Sequence, residues 1–234
     1  DGLELKWGDV EAIDKLLHKI AYREGIGDSM AKGVKRFAED YHLDESLAQH
    51  VKGMEIPGYD PRGTTGYALA YSISDRGACH RRARPIRSEA ESEKLRFGYE
   101  GKGKLVADLE NMRAYNHSLP ICDYVPTFFG MKPADHAELL NLATGWDITA
   151  DELLQVGARA IGVARLFNNR CGVDVEDDVL PKRFLKEVLP RGPAAGQKID
   201  PEGLAHMLVE YYEARGWDRA GKVLPETVKA LELE

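Results

Sequence analysis

TADELLQVGARAIGVARLFN, Thr149 to Asn168, carries the clearest helical signal in the chain. Thr149 followed three residues later by Glu152 is a capping box, in which the two side chains satisfy free backbone N–H groups of the first turn. Leu153, Val156, Ala160, Val163 and Phe167 then recur at helical spacing, which predicts that this stripe is core. The same period returns on both sides. Lys104 to Tyr115 repeats it through Leu105, Leu109 and Met112, and Pro133 opens a helix through Leu139, Leu140 and Leu142. Further on, Asp200-Pro-Glu starts a helix with Leu204, Met207, Leu208 and Tyr211 inward, and Gly216 closes it. Pro225 to Leu231 forms a last short helix. Towards the N-terminus, Asp9 caps a helix reaching Tyr22, with Val10, Ile13, Leu16, Leu17 and Ile20 on one stripe. A second, capped by Asp28 or Ser29, turns Met30, Val34 and Phe37 inward with Gly33 inside it, and a short one spans Asp44 to His50. No alternating strand pattern and no internal repeat is evident. The expected fold is all-α and multihelical.

One stretch departs from this regularity. Gly53 to Arg84, GMEIPGYDPRGTTGYALAYSISDRGACHRRAR, sets seven glycines and prolines around Asp60, Arg62, Asp75, Arg76, Cys79, His80, Arg81 and Arg82. Pro57-Gly58 and Asp60-Pro61-Arg62-Gly63 are turn signals, because Gly supplies positive φ and Pro fixes φ near −65°. A short apolar run, Tyr67 to Tyr71, lies between them and a glycine turn that delivers a Cys-His pair among arginines. Glycine where backbone approaches a ligand, arginine for anions and histidine for proton transfer form a coherent set. The plain alternative is a solvated surface loop.

The remaining segments are quieter. Ser88 to Lys104 reads as an exposed polar connector, Pro120 as a helix breaker, and the acidic run Asp174, Glu176, Asp177, Asp178 as a solvated face. His18, His42 and His50 read as surface or packing histidines. A net charge of −7 argues against a broad nucleic-acid or anionic-membrane surface, so the arginines of residues 76–87 form a local positive spot suited to a small anion. No apolar run approaches the roughly 18 residues of a membrane span. The first residues, DGLELKWGD, lack the regions of a signal peptide. Three scattered cysteines, Cys79, Cys122 and Cys171, point to a reducing, cytoplasmic setting and cannot by themselves build a four-cysteine metal site.

The irregular stretch resembles the tungstopterin-dependent aldehyde:ferredoxin oxidoreductases, in which a YDPRG turn (here Tyr59 to Gly63) precedes G-x-x-L-x-Y-x-x-S-x-R-G-x-C-H (here Gly66 to His80). The segments DGLELKWGDVEAIDKLLHKIAYREGIGD, NNRCGVDVEDDVLPKRF and LVEYYEARGWD are similar to successive parts of the same family's C-terminal half. The resemblance implies two helical domains, residues 1–52 as the end of the middle domain and 53–234 as the C-terminal domain. It implies oxidation of a small aldehyde to a carboxylic acid at tungsten (or molybdenum) held by two molybdopterin-type pterins. Electrons then leave through a 4Fe-4S iron–sulfur cluster to ferredoxin.

By the same resemblance His80 is the candidate catalytic acid/base, with a structural histidine as the alternative. Arg82 falls where a basic side chain reaches the cofactor, and Arg76 either does likewise or stabilises its turn. Cys122 matches the last cluster cysteine of a D-x-x-G-L-C motif, which makes it the candidate metal ligand and His117 and Ile121 candidate pterin contacts. That motif is altered here: His117 stands for the aspartate, Pro120 for the glycine and Ile121 for the leucine. The ordinary alternative for Cys122 is a buried thiol. The other cluster cysteines and the N-terminal half would lie outside these residues. The chain alone is therefore expected to be inactive and to bind none of these cofactors. A competing reading is a non-catalytic helical module that binds a partner protein. The enzyme reading expects an open basic groove from residues 76–84 and 117–124. The module reading expects an apolar, shielded face with His80 turned inward.

Overall fold

The computed structural model describes residues 4–233, so the start of DGLELKWGD and the last residue lie outside the described residues; at 125, 127 and 128 only the backbone is described. Asp9 accepts the Ala12 N–H at 3.0 Å and opens α1 (Val10–Tyr22). Next come α2 (Ile26–Met30) and α3 (Val34–Asp40). Gly33 does not lie inside one helix but separates these two, with φ of 86°, a conformation that L side chains avoid. Asp44 caps a single turn, Glu45–Leu47, rather than a helix to His50. The chain then makes a small antiparallel hairpin, β1 (His50–Val51) with β2 (Met54–Glu55). Its turn residues Lys52 and Gly53 both have positive φ, which matches the twist of a tight hairpin.

The apolar run becomes α4 (Thr65–Ile73), in which every residue is buried. A helix that is apolar all round has no solvent face to keep and belongs in the centre. The expected polar connector folds instead into α5 (Ile86–Glu89) and α6 (Glu93–Phe97), leading into α7 (Lys102–Ser118). Glu91, Glu93, Lys94, Glu100 and Lys104 are exposed as expected, but two of its charges are not: Glu89 is fully buried, accepts the Gly66 N–H at 2.8 Å and pairs with buried Lys102. That carboxylate lies at the α4 N-terminus, where the helix dipole favours a negative charge.

After α7 come α8 (Tyr124–Phe129), α9 (Pro133–Thr144) and α10 (Ala150–Arg170). The Thr149–Glu152 capping box forms as expected, Glu152 N–H donating to Thr149 Oγ1 at 3.2 Å and Thr149 N–H to Glu152 Oε2 at 2.7 Å. The stripe is only half right. Leu153 is buried and Val156 packs beside it, but Ala160, Val163 and Phe167 face out. Gly157, Gly162 and Arg165 face in. The reason is close packing of α10 on α7: a Cβ at Gly157 would lie 2.1 Å from the Asn111 carbonyl oxygen. The α1 stripe behaves similarly, with Val10, Ile13 and Leu17 exposed.

The chain ends with α11 (Lys182–Lys186), α12 (Pro201–Arg215) and α13 (Pro225–Ala230). α12 packs on the other side of α7, where Gly103 lies against the Tyr211 backbone. One core joins α4, α7 and α12 through Tyr71, Val106, Met207, Tyr211 and Trp217. The acidic run is also not a solvated face throughout. Asp178 is fully buried and accepts Lys52 Nζ at 2.7 Å, Arg165 Nη2 at 2.8 Å and the Tyr212 hydroxyl at 2.6 Å. It joins the hairpin turn, α10 and α12. Apart from the hairpin and one isolated bridge, Trp217 to Val223, the described residues are helical or irregular, so the all-α expectation holds. No helix among them is long and apolar enough to cross a membrane.

Candidate active site

The Cys79-His80 turn leaves buried α4 through Ser74 and re-enters structure at α5. It is held by its own charges. Arg82 makes a two-pronged pair with Asp75, Nε to Oδ1 at 2.7 Å and Nη2 to Oδ2 at 3.1 Å. Arg76, largely exposed, donates to the buried Cys79 sulfur at 2.9 Å, and the Arg81 N–H approaches the same sulfur at 3.4 Å. Of the two readings for Arg76, turn stabilisation is the one with a contact on view.

His80 is half-buried at the tip, its ring stacked on Tyr59 with centroids 5.4 Å apart. No hydrogen bond from its ring to the protein is found among the described residues. Tyr59 also stacks on Tyr67, at 5.9 Å, and its carbonyl accepts the Tyr71 hydroxyl at 3.0 Å. The imidazole is held below its ordinary pKa by burial, and then by the positive charges of Arg81, Arg84 and Arg76, with Asp123 opposing them. It is thus neutral at neutral pH and able to accept a proton.

α7 delivers the facing wall. Arg113 Nη1 donates to the Asp123 carbonyl at 3.0 Å and to its carboxylate at 3.2 Å, and Arg81 pairs with the same buried carboxylate. Arg81 and Arg84 both lie over the Tyr124 ring, at 4.7 and 5.5 Å. Burial, and then repulsion from Arg84 and Arg81, pushes the Arg113 pKa down against the pull of Asp123. Burial, helped by Tyr59 and Glu89, drives Tyr67 up to about 12, with Arg84 and Arg113 opposing; its hydroxyl is buried without a partner among the described residues. Arg76, Arg81, Arg82, Arg84 and Arg113 outnumber Asp75 and Asp123 around the turn, and the His80 ring is stacked on Tyr59 with no inward hydrogen bond among the described residues.

A second hollow of about 230 Å³ lies between the turn and α7 and α10, bringing Arg82 and Asp75 together with His117, Glu110 and Arg113. His117 is held below its ordinary pKa by burial and then by Arg82. Ile121 and Cys122 follow the end of α7 and are exposed, so Cys122 is not the buried thiol of the ordinary alternative. Cys79 is buried and Cys171 lies at the far end of α10. Sequence reasoning missed Arg113 and Asn116; Tyr59, Arg84 and Asp123 lie in segments it marked but were not singled out. Arg113, Asn116 and His117 share the three- and four-residue spacing of one helix face, which was the available signal.

The sequence model of the family described as "Aldehyde ferredoxin oxidoreductase, domains 2 & 3" matches residues 1–233. The chain belongs to this family. It is 38% identical over 242 aligned residues to the tungsten-containing aldehyde ferredoxin oxidoreductase of Pyrococcus furiosus, the alignment covering all of this chain and 38% of that protein. The protein of the same name from Thermococcus kodakarensis is 35% identical with the same coverage. An aliphatic sulfonate oxidoreductase, WOR-like subunit, of Pyrococcus furiosus is 31% identical over 99% of this chain. The chain spans a little over a third of the length of these relatives. Among solved structures, the active site complex BamBC of benzoyl coenzyme A reductase superposes with a TM-score of 0.69 over 99% of this chain and 40% of that one. At 20% identity that likeness speaks for the fold alone.

Proposed function

We propose that this chain forms the His80 side of a tungsten-dependent aldehyde:ferredoxin oxidoreductase, the remainder of the enzyme closing the other side. The observation that carries the reading is the neutral, half-buried imidazole of His80, stacked on Tyr59 and ringed by guanidinium groups. The arginine surplus suits an anionic pterin cofactor. Arg76, Arg82, His117 and Ile121 are the proposed cofactor contacts. Arg82 would keep Asp75 as counter-ion and offer its remaining donor edge. When bound, a tungsten–bis-pterin supplies two-electron redox chemistry. The 4Fe-4S cluster does not fit this chain alone: three separated cysteines cannot ligate it, and Cys122 would be one ligand of a set completed elsewhere. Ferredoxin as electron acceptor and the division near residue 52 belong to the same proposal. The division falls at the hairpin turn.

The overall reaction takes an aldehyde and water to a carboxylate, releasing two electrons and three protons. In it His80 accepts a proton as water adds to the carbonyl carbon. Its neutral form is the competent one; burial and then the surrounding cations keep it neutral, and those cations also stabilise the negative charge that grows on the carbonyl oxygen. The chain alone lacks the rest of the site and is inactive in this account. Substitution His80→Asn in the complete enzyme tests the assignment. Loss of aldehyde oxidation by about 100-fold or more, with metal content unchanged, is expected; retention of activity would remove His80 from the mechanism.

A further inference from the structure

A hollow of about 450 Å³ lies beside the site, lined by the start of α5 and by α7. That is the size range of small-molecule sites. Its floor is apolar, with Leu109 and Met112 among the lining groups, while Arg84, Arg87 and Arg113 stand around it. Among the described residues no acidic side chain lines it, on a chain whose net charge is −7. The Asp123 carboxylate, which pairs with lining Arg113, is also shared with Arg81. Asn116, 2% exposed, also lines the hollow, and its Oδ1 is buried without a hydrogen-bond partner among the described residues. Buried polar atoms are nearly always satisfied, so an orphan acceptor in a cavity wall marks a place for a donor.

We infer that this hollow binds the far end of the substrate, and that the substrate is an aldehyde carrying a second, anionic group on an apolar body. The inference rests on the aldehyde-oxidising reading for the reaction, but binding is measured without turnover. A carboxylate between Arg84 and Arg113 relieves the repulsion of two guanidinium groups that share too few counter-ions. Charge-assisted, two-pronged pairing is what arginine does best. The aliphatic floor of Ile86, Leu109, Met112 and Met131 takes the apolar body, and a ligand hydroxyl or N–H meets Asn116 Oδ1. Arg84 lines the hollow and lies four residues from His80 on the same turn, over the Tyr124 ring that Arg81 also covers, so a bound anion would present its other end towards the imidazole. The same neighbourhood sets a limit. A bare inorganic anion has nothing to place on the floor and should bind worse than an aryl carboxylate.

The test uses phenylacetate, neutral phenylacetamide and inorganic phosphate, titrated into the chain and followed by calorimetry and by amide chemical shifts. Phenylacetate is expected to bind at least about tenfold more tightly than the amide and to shift α7 resonances around Arg113 and Asn116. Arg84→Gln should abolish that preference while leaving the spectrum folded, and Arg87→Gln, at the exposed rim, should weaken it less. Equal affinity for acid and amide, tighter binding of phosphate, binding that survives Arg84→Gln unchanged, or no saturable binding at millimolar ligand would each overturn the inference. Failure of the reaction assignment looks different: carboxylate binding persists while His80→Asn leaves aldehyde oxidation intact.

Discussion

Asp178→Asn is the substitution whose consequence can be worked out furthest. The side chain is isosteric, so packing is retained and only the electrostatics change. In the native protein both carboxylate oxygens are acceptors: Lys52 Nζ at 2.7 Å, Arg165 Nη1 and Nη2 at 3.2 and 2.8 Å, and the Tyr212 hydroxyl at 2.6 Å. An amide keeps one acceptor and puts an NH₂ against donors. Two cations, Lys52 with 8% of its side chain exposed and Arg165 with 3%, are left without a counter-charge. Lys52 is already the strained member, its pKa lowered by burial with Asp178 opposing. Removing one partner of a buried pair costs about 3–5 kcal/mol, a large part of the ~5–15 kcal/mol that holds a typical protein folded. Urea unfolding followed by circular dichroism reads the difference directly. Adding Lys52→Met to Asp178→Asn should recover part of the loss, because it deletes one orphaned charge. A loss below about 1 kcal/mol would refute the reasoning and return Asp178 to the solvated acidic face that its sequence neighbours suggest.

Arg84→Gln removes one of the positive charges acting on His80, so the imidazole pKa should rise towards its ordinary 6.5; an NMR titration of the His80 ring that shows no change or a fall contradicts the electrostatic account. Gly157→Ala puts a methyl group 2.1 Å from the Asn111 carbonyl oxygen. The resulting overpacking, about 1–3 kcal/mol, should exceed the ~1 kcal/mol gained in helix propensity, and a thermal melt that shows stabilisation would mean that α7 and α10 move apart easily. In the folded chain a thiol reagent should modify exposed Cys122 and Cys171 rapidly and buried Cys79 only on unfolding, with rapid loss of all three thiols as the contrary result.

What the sequence allowed to be read follows from how local each determinant is. The start of α10 was legible because Thr149 and Glu152 are three residues apart and cap one turn. Its buried face was not, since the inward positions are Gly157, Gly162 and an ion-paired Arg165, residues that a search for large apolar side chains passes over. α4 showed only as a short apolar run for a related reason: a helix buried on every side has no polar period to reveal it. Asp178 was misread because its partners Lys52 and Arg165 are far off in sequence. The same division runs through the candidate site. Cys79, His80 and the arginines around them are contiguous and could be named. Arg113 and Asn116 reach the site from α7 and needed the fold.

The most direct test of the central claim is the tungsten, molybdenum and iron content of the complete enzyme to which we assign this chain, measured beside the 234-residue chain alone. The account predicts near-stoichiometric tungsten or molybdenum, with iron in the proportion of one cubane cluster, in the complete enzyme and neither in the isolated chain. A complete enzyme that carries neither tungsten nor molybdenum yet oxidises aldehydes, or an isolated chain that holds stoichiometric metal, would contradict it.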